Sequence, residues 1–412
     1  MKGDLIMNNC IIAQSGGPTA VINASIMGVV AKNNELKHYD NVFGGMNGIE
    51  GILNEDIINL SKLSHEEVDT IKYTPAAALG SCRYKLKSFE SNSADYIKLF
   101  EILEKNQIKT FFYTGGNDSM DTVHKLSLYA KEHNKDIKFI GIPKTIDNDL
   151  PVMDHTPGYG SAAKLIALTC LENYLDASVY TKKSAFIVEA MGRDTGWLAA
   201  SASIARINGE CIADFIYLPE RVFDEKKFLE DVKVKLETQP HVFIVVSEGI
   251  KNEEGKFLSE LNASTQKDIF GHVQLGGVGN YVRSLLIDNG VVSKARALEI
   301  STTQRCGMHC ASQTDIEESF NIGQTAMKYS IEGENGMMVG IRRVSNNPYK
   351  SESFVLDTAN VANQIKYFPA EWINENGNHV TSEAIEYILP LVQGEPKVKM
   401  ENGLPKYYKL NS

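Results

Sequence analysis

The densest chemistry in the chain lies between Gly141 and Asp149. There Gly-Ile-Pro-Lys-Thr-Ile-Asp-Asn-Asp places Lys144, Thr145, Asp147 and Asp149 in one short stretch. Phosphoryl transfer needs a base near the attacking hydroxyl, a carboxylate for a metal ion and a cation for developing charge. Lys144, Asp147 and Asp149 can supply all three from a single loop. Asp-Asn-Asp also occurs in plain turns and in calcium loops. An EF-hand is excluded, because the glycine and glutamate required further along its loop are missing.

Two glycine turns precede this loop. Ala13-Gln14-Ser15-Gly16-Gly17-Pro18-Thr19 stands between an apolar run and an amphipathic one. Paired glycines let the backbone approach an anion, and a helix start offers unpaired N–H groups. Thr114-Gly115-Gly116-Asn117-Asp118-Ser119 repeats the pattern and adds a carboxylate, Asp118, which could equally be a helix cap. Two such turns in one sheet point to a shared phosphate cradle, although neither matches the P-loop or the Rossmann glycine fingerprint. Further on, Glu189-Ala190-Met191-Gly192-Arg193-Asp194-Thr195-Gly196 offers a guanidinium after a glycine turn, suited to a phosphate or to a bland surface loop. Ser247-Glu248-Gly249 could hydrogen-bond a sugar hydroxyl.

These loops need elements to hold them. Short β-branched and aromatic runs at Cys10–Ala13, Thr110–Tyr113, Phe139–Ile142, Ala185–Glu189, Cys211–Tyr217 and Val242–Val246 read as buried parallel strands. Helices are expected over Thr19–Ala31, Ser119–Lys131 and Asp315–Ile331, and an irregular tail after about residue 340. The alternation predicts a doubly wound α/β fold, in which ligands bind outside the carboxyl ends of strands. Every motif above falls there.

The bulk numbers narrow the partners. At 412 residues the chain calls for two or three packed lobes. Its net charge of −10 argues against nucleic acid, so an anionic substrate must be held by local lysines, arginines, N–H groups or a metal ion. No apolar run approaches the ~20 residues of a membrane helix, and no signal-peptide pattern opens the chain, which predicts a cytoplasmic protein without a membrane partner. The six cysteines read as reduced, mostly buried thiols. Cys306, His309 and Cys310 invite a zinc reading, but the one-turn spacing without a second ligand pair reads as a packed helix face.

Taken in order, SGGPTAVIN, LGSCRYKL, TGGNDSMD, IPKTIDND, MGRDTGW, SEG and GHVQLGG resemble the phosphofructokinase family over nearly all of residues 10 to 330. The resemblance implies two Rossmann-like lobes with mostly parallel sheets. A phosphoryl-donor lobe would take residues 1–155 plus 272–325, and a sugar-phosphate lobe 156–271 plus 326–412. It implies Asp147 as the base that takes the proton from the sugar 1-hydroxyl and Asp149 as a carboxylate at Mg²⁺ and the transfer site. Thr145 would contact the transferred phosphoryl group, while Arg83 and Arg193 neutralise its charge. Gly17 and Gly116 would line the donor cradle. Met191, Gly192, Arg193, Glu248 and His272 would bind fructose 6-phosphate. A homodimer or homotetramer is expected on the same ground.

Donor choice is implied by two positions. ATP-using relatives carry glycine where Asp118 and Lys144 stand here. A carboxylate at 118 repels a nucleotide's α-phosphate, and an ammonium at 144 pairs with a short, highly charged donor. Together they are the pattern of pyrophosphate-dependent members. Asn117 replaces a Mg²⁺-ligating aspartate, which would shift metal ligation to Asp118 and Asp149. Leu275 replaces an arginine that grips the sugar 6-phosphate. Gln266 and Ser184 stand where two arginines come from a neighbouring subunit, with Lys267 and Lys183 as nearby substitutes. The rivals are ATP as donor, a related ketose such as sedoheptulose 7-phosphate as acceptor, and a silent regulatory homologue. The intact set of Asp147, Asp149 and Arg193 argues against the last.

Overall fold

A computed structural model describes residues 8–261 and 276–410, divided into two compact units. The first unit comprises Met1–Ser161, Arg305–Ile365 and Gln393–Ser412; the second comprises Ala162–Gln304 and Lys366–Val392. The chain is therefore shared out differently from the expected lobes. Residues 276–304 fall in the second unit and 326–365 in the first, so the long excursion after Ser161 returns later than expected.

The first unit is built on a seven-stranded sheet. From edge to edge its strands are Tyr349–Asp357, Met337–Asn346, Lys138–Pro143, Ile108–Gly115, Asn9–Gln14, Asn41–Gly45 and Ile57–Asn59. The inner pairs are parallel and the two outermost pairs antiparallel. The central strands Asn9–Gln14 and Ile108–Gly115 are almost wholly buried, as strands covered by helices on both faces must be. One apolar cluster contains Ile12, Phe112 and Ile140, and another contains Ile11, Phe111 and Phe139, so alternate residues of the same strands feed the two faces.

The second unit carries a four-stranded, all-parallel sheet in the order Ala295–Glu299, Ser184–Ala190, His241–Ser247, Phe215–Tyr217. Ile187, Ile244 and Val246 pack there against Phe228 and Val232 of helix Glu225–Thr238 and Val282 of helix Val278–Asp288. No helix among the described residues is long and apolar enough to cross a membrane.

Several local expectations need correcting. The first helix spans Ile22–Leu36 and starts three residues beyond Thr19, whose hydroxyl accepts from the Val21 N–H outside the helix. The run Cys211–Tyr217 is two pieces, Glu210–Cys211 and Phe215–Tyr217. The first pairs with Arg206–Ile207 across Asn208 and Gly209, both at positive φ, the two-residue hairpin signature. Described residues after 340 are not irregular throughout, for they include the long hairpin above and helix Ser382–Ile388. Cys306 is exposed and Met308–Cys310 is a short 3-10 turn, not a packed helix face. Cys10, Cys82 and Cys170 are buried, and Cys211 and Cys310 half-buried.

Candidate active site

In the first unit, strands Asn9–Gln14, Ile108–Gly115 and Lys138–Pro143 are parallel neighbours, with Gln14 level with Thr114 and Gly115 level with Pro143. Three sequence-distant loops therefore leave the sheet side by side. Gly115 has no room for a side chain, since an added Cβ would run into the Ser119 hydroxyl and lie 2.6 Å from that of Ser15. The two hydroxyls are hydrogen-bonded to each other, joining the two glycine turns. Gly16 sits at φ +75, where a residue with a Cβ is strained.

Lys144 lies where these loops meet. Its ammonium donates to the Gly17 carbonyl at 2.6 Å, and its backbone N–H donates to the Gly115 carbonyl at 2.9 Å. Only 3% of the residue is exposed. Burial lowers its pKa to about 8; Arg305 and Arg83 act in the same direction, and Asp147 and Asp149 partly offset it. The lysine thus stays largely cationic at neutral pH in a setting where its field is weakly screened.

The loop after Lys144 is folded on itself. The Thr145 hydroxyl accepts from the Asp147 N–H at 3.2 Å and donates to the Asp147 carboxylate at 3.3 Å. Asn148 is fully buried at φ +54, and its Oδ1 accepts from the Thr156 N–H at 3.0 Å. Thr145 N–H donates to the Pro157 carbonyl at 3.2 Å, closing the neck of the loop. Asp147 and Asp149 are thereby left half-exposed at its tip. Arg83, exposed, follows a stretch stitched to the first glycine turn. Leu79 N–H donates to Gln14 Oε1 at 2.9 Å, Gly16 N–H to the Cys82 carbonyl at 3.1 Å, and the Ser81 hydroxyl to the Gly16 carbonyl at 2.6 Å.

Asp118 is exposed in the first turn of helix Asn117–Glu132, whose N-cap is Gly116. Gly17, Arg83, Gly116, Lys144, Thr145, Asp147 and Asp149 all belong to the same unit. Among the described residues no group of three or more His, Cys, Asp and Glu side chains could enclose a metal ion.

In the second unit, Ala190 and Ser247 end neighbouring parallel strands. Gly192, at φ +130, donates its N–H to Glu248 Oε1 at 3.2 Å, and its carbonyl accepts from the Ser247 hydroxyl at 2.6 Å. Met191, Gly192, Arg193 and Glu248 are therefore brought together, with the Arg193 guanidinium 6.0 Å from the Phe257 ring centre. His272, Leu275, Gln266 and Lys267 lie outside the described residues. Ser184 bonds His241 at 2.9 Å, and with Lys183 it lies at the start of the strand whose other end leads into Met191.

Two neighbouring residues were not anticipated. Gln304, 2% exposed, accepts the Met191 N–H at 3.1 Å in the second unit. Arg305, in the first unit, brings a guanidinium nitrogen to 3.1 Å from where a Gly17 Cβ would stand, and its charge acts on Lys144. Both follow the half-exposed strand Ala295–Glu299. Its short, mixed run Ala-Arg-Ala-Leu-Glu gives little strand signal, so the sequence does not mark the polar residues beyond its end.

The profile of the family described as phosphofructokinase matches residues 9–291. A pyrophosphate–fructose 6-phosphate 1-phosphotransferase from Halomonas elongata is 39% identical over 98% of this chain and 97% of its own length. One of the same name from Xanthomonas campestris pv. campestris is 40% identical over 98% of this chain and 96% of its own. The crystal structure of a pyrophosphate-dependent phosphofructokinase from Nitrosospira multiformis superposes with a TM-score of 0.88 at 36% identity, covering 97% of this chain and 96% of that one.

Proposed function

The chain belongs to the phosphofructokinase family, and from that membership we propose that it transfers a phosphoryl group reversibly from pyrophosphate to the 1-hydroxyl of fructose 6-phosphate. The products are fructose 1,6-bisphosphate and phosphate, a step of glycolysis and gluconeogenesis. The observation that carries the donor assignment is Lys144, a buried ammonium touching the first glycine turn and bonded through its backbone to the second. A short diphosphate concentrates its charge within reach of one such cation. Relatives of nearly the same length carry names with the same donor.

In this reading Gly17, Gly116, Arg83, Asp118 and Lys144 hold the pyrophosphate, and Arg305 adds a further cation beside Gly17. Asp147 takes the proton from the attacking hydroxyl as the oxygen–phosphorus bond forms. The Thr145 hydroxyl, held by the Asp147 N–H, orients that carboxylate and contacts the transferred group. Met191, Gly192, Arg193, Glu248 and His272 hold the sugar phosphate, and Arg193 offsets charge on the moving phosphoryl group. The first unit is thus the donor unit and the second the acceptor unit. Mg²⁺ suits the donor set, since this small hard ion is held by one or two carboxylates plus substrate phosphates and needs no all-protein cage. Asp118 and Asp149 would hold it, and bound there it offsets phosphate charge. The protein works as a homodimer or homotetramer in the cytoplasm.

Purified protein with Mg²⁺ and fructose 6-phosphate is expected to turn over with pyrophosphate and to be inert with ATP; the reverse preference overturns the donor assignment. Asp147→Asn should lose about 10²–10⁴-fold in kcat with the fold intact by circular dichroism. A near-normal rate in that variant removes Asp147 from the base role. Replacing both Asp118 and Lys144 by Gly should admit ATP and weaken pyrophosphate use.

A further inference from the structure

Asn117 is the first residue of the helix that follows the second glycine turn. Its side chain is engaged throughout by main-chain groups of a distant segment. Nδ2 donates to the Val361 carbonyl at 3.1 Å and also to the Gln364 carbonyl, while Oδ1 accepts from the Asn363 N–H at 2.5 Å. Asn363 Nδ2 in turn donates to Asp121 Oδ1 at 3.2 Å. Asn117 and Asp121 are four apart and share a helix face, so residues 361–364 run along the first turn. Just upstream, Thr358–Asn360 packs on the same helix, and Thr358 is fastened to the Gly336 carbonyl by its N–H at 3.2 Å and its hydroxyl at 2.6 Å. Asn363 holds φ +59, a conformation asparagine tolerates and proline cannot adopt.

We propose that Asn117 is a specificity-determining positioning residue: its carboxamide pins residues 361–364 as a strap beside the donor cradle, and the strap excludes a nucleoside attached to the donor phosphates. The inference rests on pyrophosphate being the donor. Phosphates at a helix N-terminus are met by the N–H groups of its first turn. Whatever is attached beyond the second phosphate must leave past that turn. Successive helix residues project about 100° apart, so Asn117 and Asp118 guard different exits. Asp118 sets an exposed carboxylate in one, and the strap held by Asn117 occupies the other. A bare diphosphate needs neither.

The amide is required here, not merely tolerated. The two donated bonds and the accepted one use an –NH₂ and a C=O together, whereas an aspartate would turn a carboxylate toward two carbonyl oxygens. The residue that stands in place of a metal-ligating aspartate is therefore the anchor of the strap. Metal ligation at 117 and strap docking are mutually exclusive.

Asn117→Asp and Asn363→Pro release the strap from its two sides, the second with every helix residue unchanged. Hydrogen exchange of a peptide covering 358–367 is expected to accelerate in both. The inhibition constant of Mg-ATP against pyrophosphate is expected to fall by about tenfold or more, with kcat for pyrophosphate less affected. Faster exchange with Mg-ATP inhibition within about twofold of wild type overturns the exclusion role. Unchanged exchange in Asn117→Asp overturns the anchoring role. Wild-type turnover with ATP as good as with pyrophosphate would instead defeat the donor assignment on which the inference rests.

Discussion

At the scale of single residues, the donor role proposed for Lys144 would couple pyrophosphate binding to pH. Burial holds its folded pKa at about 8, against ~10.4 in an unfolded chain. Between these values the unfolded state binds the extra proton, so this residue makes stability rise with pH across that window; below about 8 the full cost of enclosing an ammonium is present. In the proposed donor role, pyrophosphate would bind the charged form and lift the pKa back. The KM for pyrophosphate is therefore expected to climb as pH passes upward through about 8, and Lys144→Met should flatten that limb. The same variant should lose roughly 10- to 150-fold in kcat/KM for pyrophosphate, the worth of one charge-assisted hydrogen bond. It should also melt no lower than wild type at pH 7 when ligand-free. Steady-state kinetics from pH 6.5 to 9.5 and a thermal melt check both halves, and a steep limb surviving in Lys144→Met would place the titration in another group. The lysine itself was legible from its place after an apolar strand. Its contact with the Gly17 carbonyl was not, because that depends on which strands are neighbours.

At the scale of elements, one helix steadies the neck of the loop that carries Asp147 and Asp149. Helix Gln313–Glu332 brings up two carboxylates one turn apart. Asp315, 3% exposed, accepts from the N–H groups of Gly158 and Ser161 at 2.9 Å and from the Ser161 hydroxyl at 2.6 Å. Glu318 meets His155 Nε2 at 2.7 Å, while Asp154 meets Nδ1 at the same distance. Burial alone would depress the imidazole, but the Glu318 charge and the bonds to Asp154 and Glu318 prevail and push it up to about 9. Arg343 backs Asp154, and Tyr349 and Ser351 back Glu318. The folded state therefore holds the extra proton between ~6.5 and 9. This stability is complete below the lower value and is lost as pH rises through the upper one. Replacing His155 by Leu takes the cation from between two half-buried carboxylates and should cost about 2–3 kcal/mol. Urea midpoints at pH 6 and 9.5 should converge in the variant relative to wild type; an equal gap in both would mean that His155 is not the group titrating. Lys144 acts in the opposite direction above pH 8, so each effect must be taken from its own variant. The helix was legible as an amphipathic stretch. Asp315 and Glu318 were not, since a periodic pattern assigns charged residues to the solvent side and only the docked loop explains their burial.

At the scale of the whole molecule, legibility follows the same division. Strands covered on both faces, such as Ile108–Gly115, announce themselves as unbroken apolar runs. The edge hairpin Met337–Asn346 with Tyr349–Asp357 leaves many residues exposed and reads as an irregular tail. The assignment of chain segments to units escaped for a related reason: the chain crosses between units again at residues 304–305, 365–366 and 392–393, without a marked change in composition. That division makes the roles of the units separately testable. If the first unit binds pyrophosphate and the second the sugar phosphate, each ligand should protect its own loops from hydrogen exchange. Pyrophosphate with Mg²⁺ should slow peptides covering 14–17, 114–119 and 144–149. Fructose 6-phosphate alone should slow 190–197 and 247–249, where the Gly192–Glu248 and Met191–Gln304 bonds already fix the backbone. At a hundredfold excess over its Kd, either ligand adds about 2.7 kcal/mol to the state that binds it, enough to slow the affected amides roughly 100-fold. Protection of the Met191–Thr195 loop by pyrophosphate, with none from the sugar phosphate, would reverse the assignment, because a loop cannot be ordered by a ligand with which it makes no differential contact.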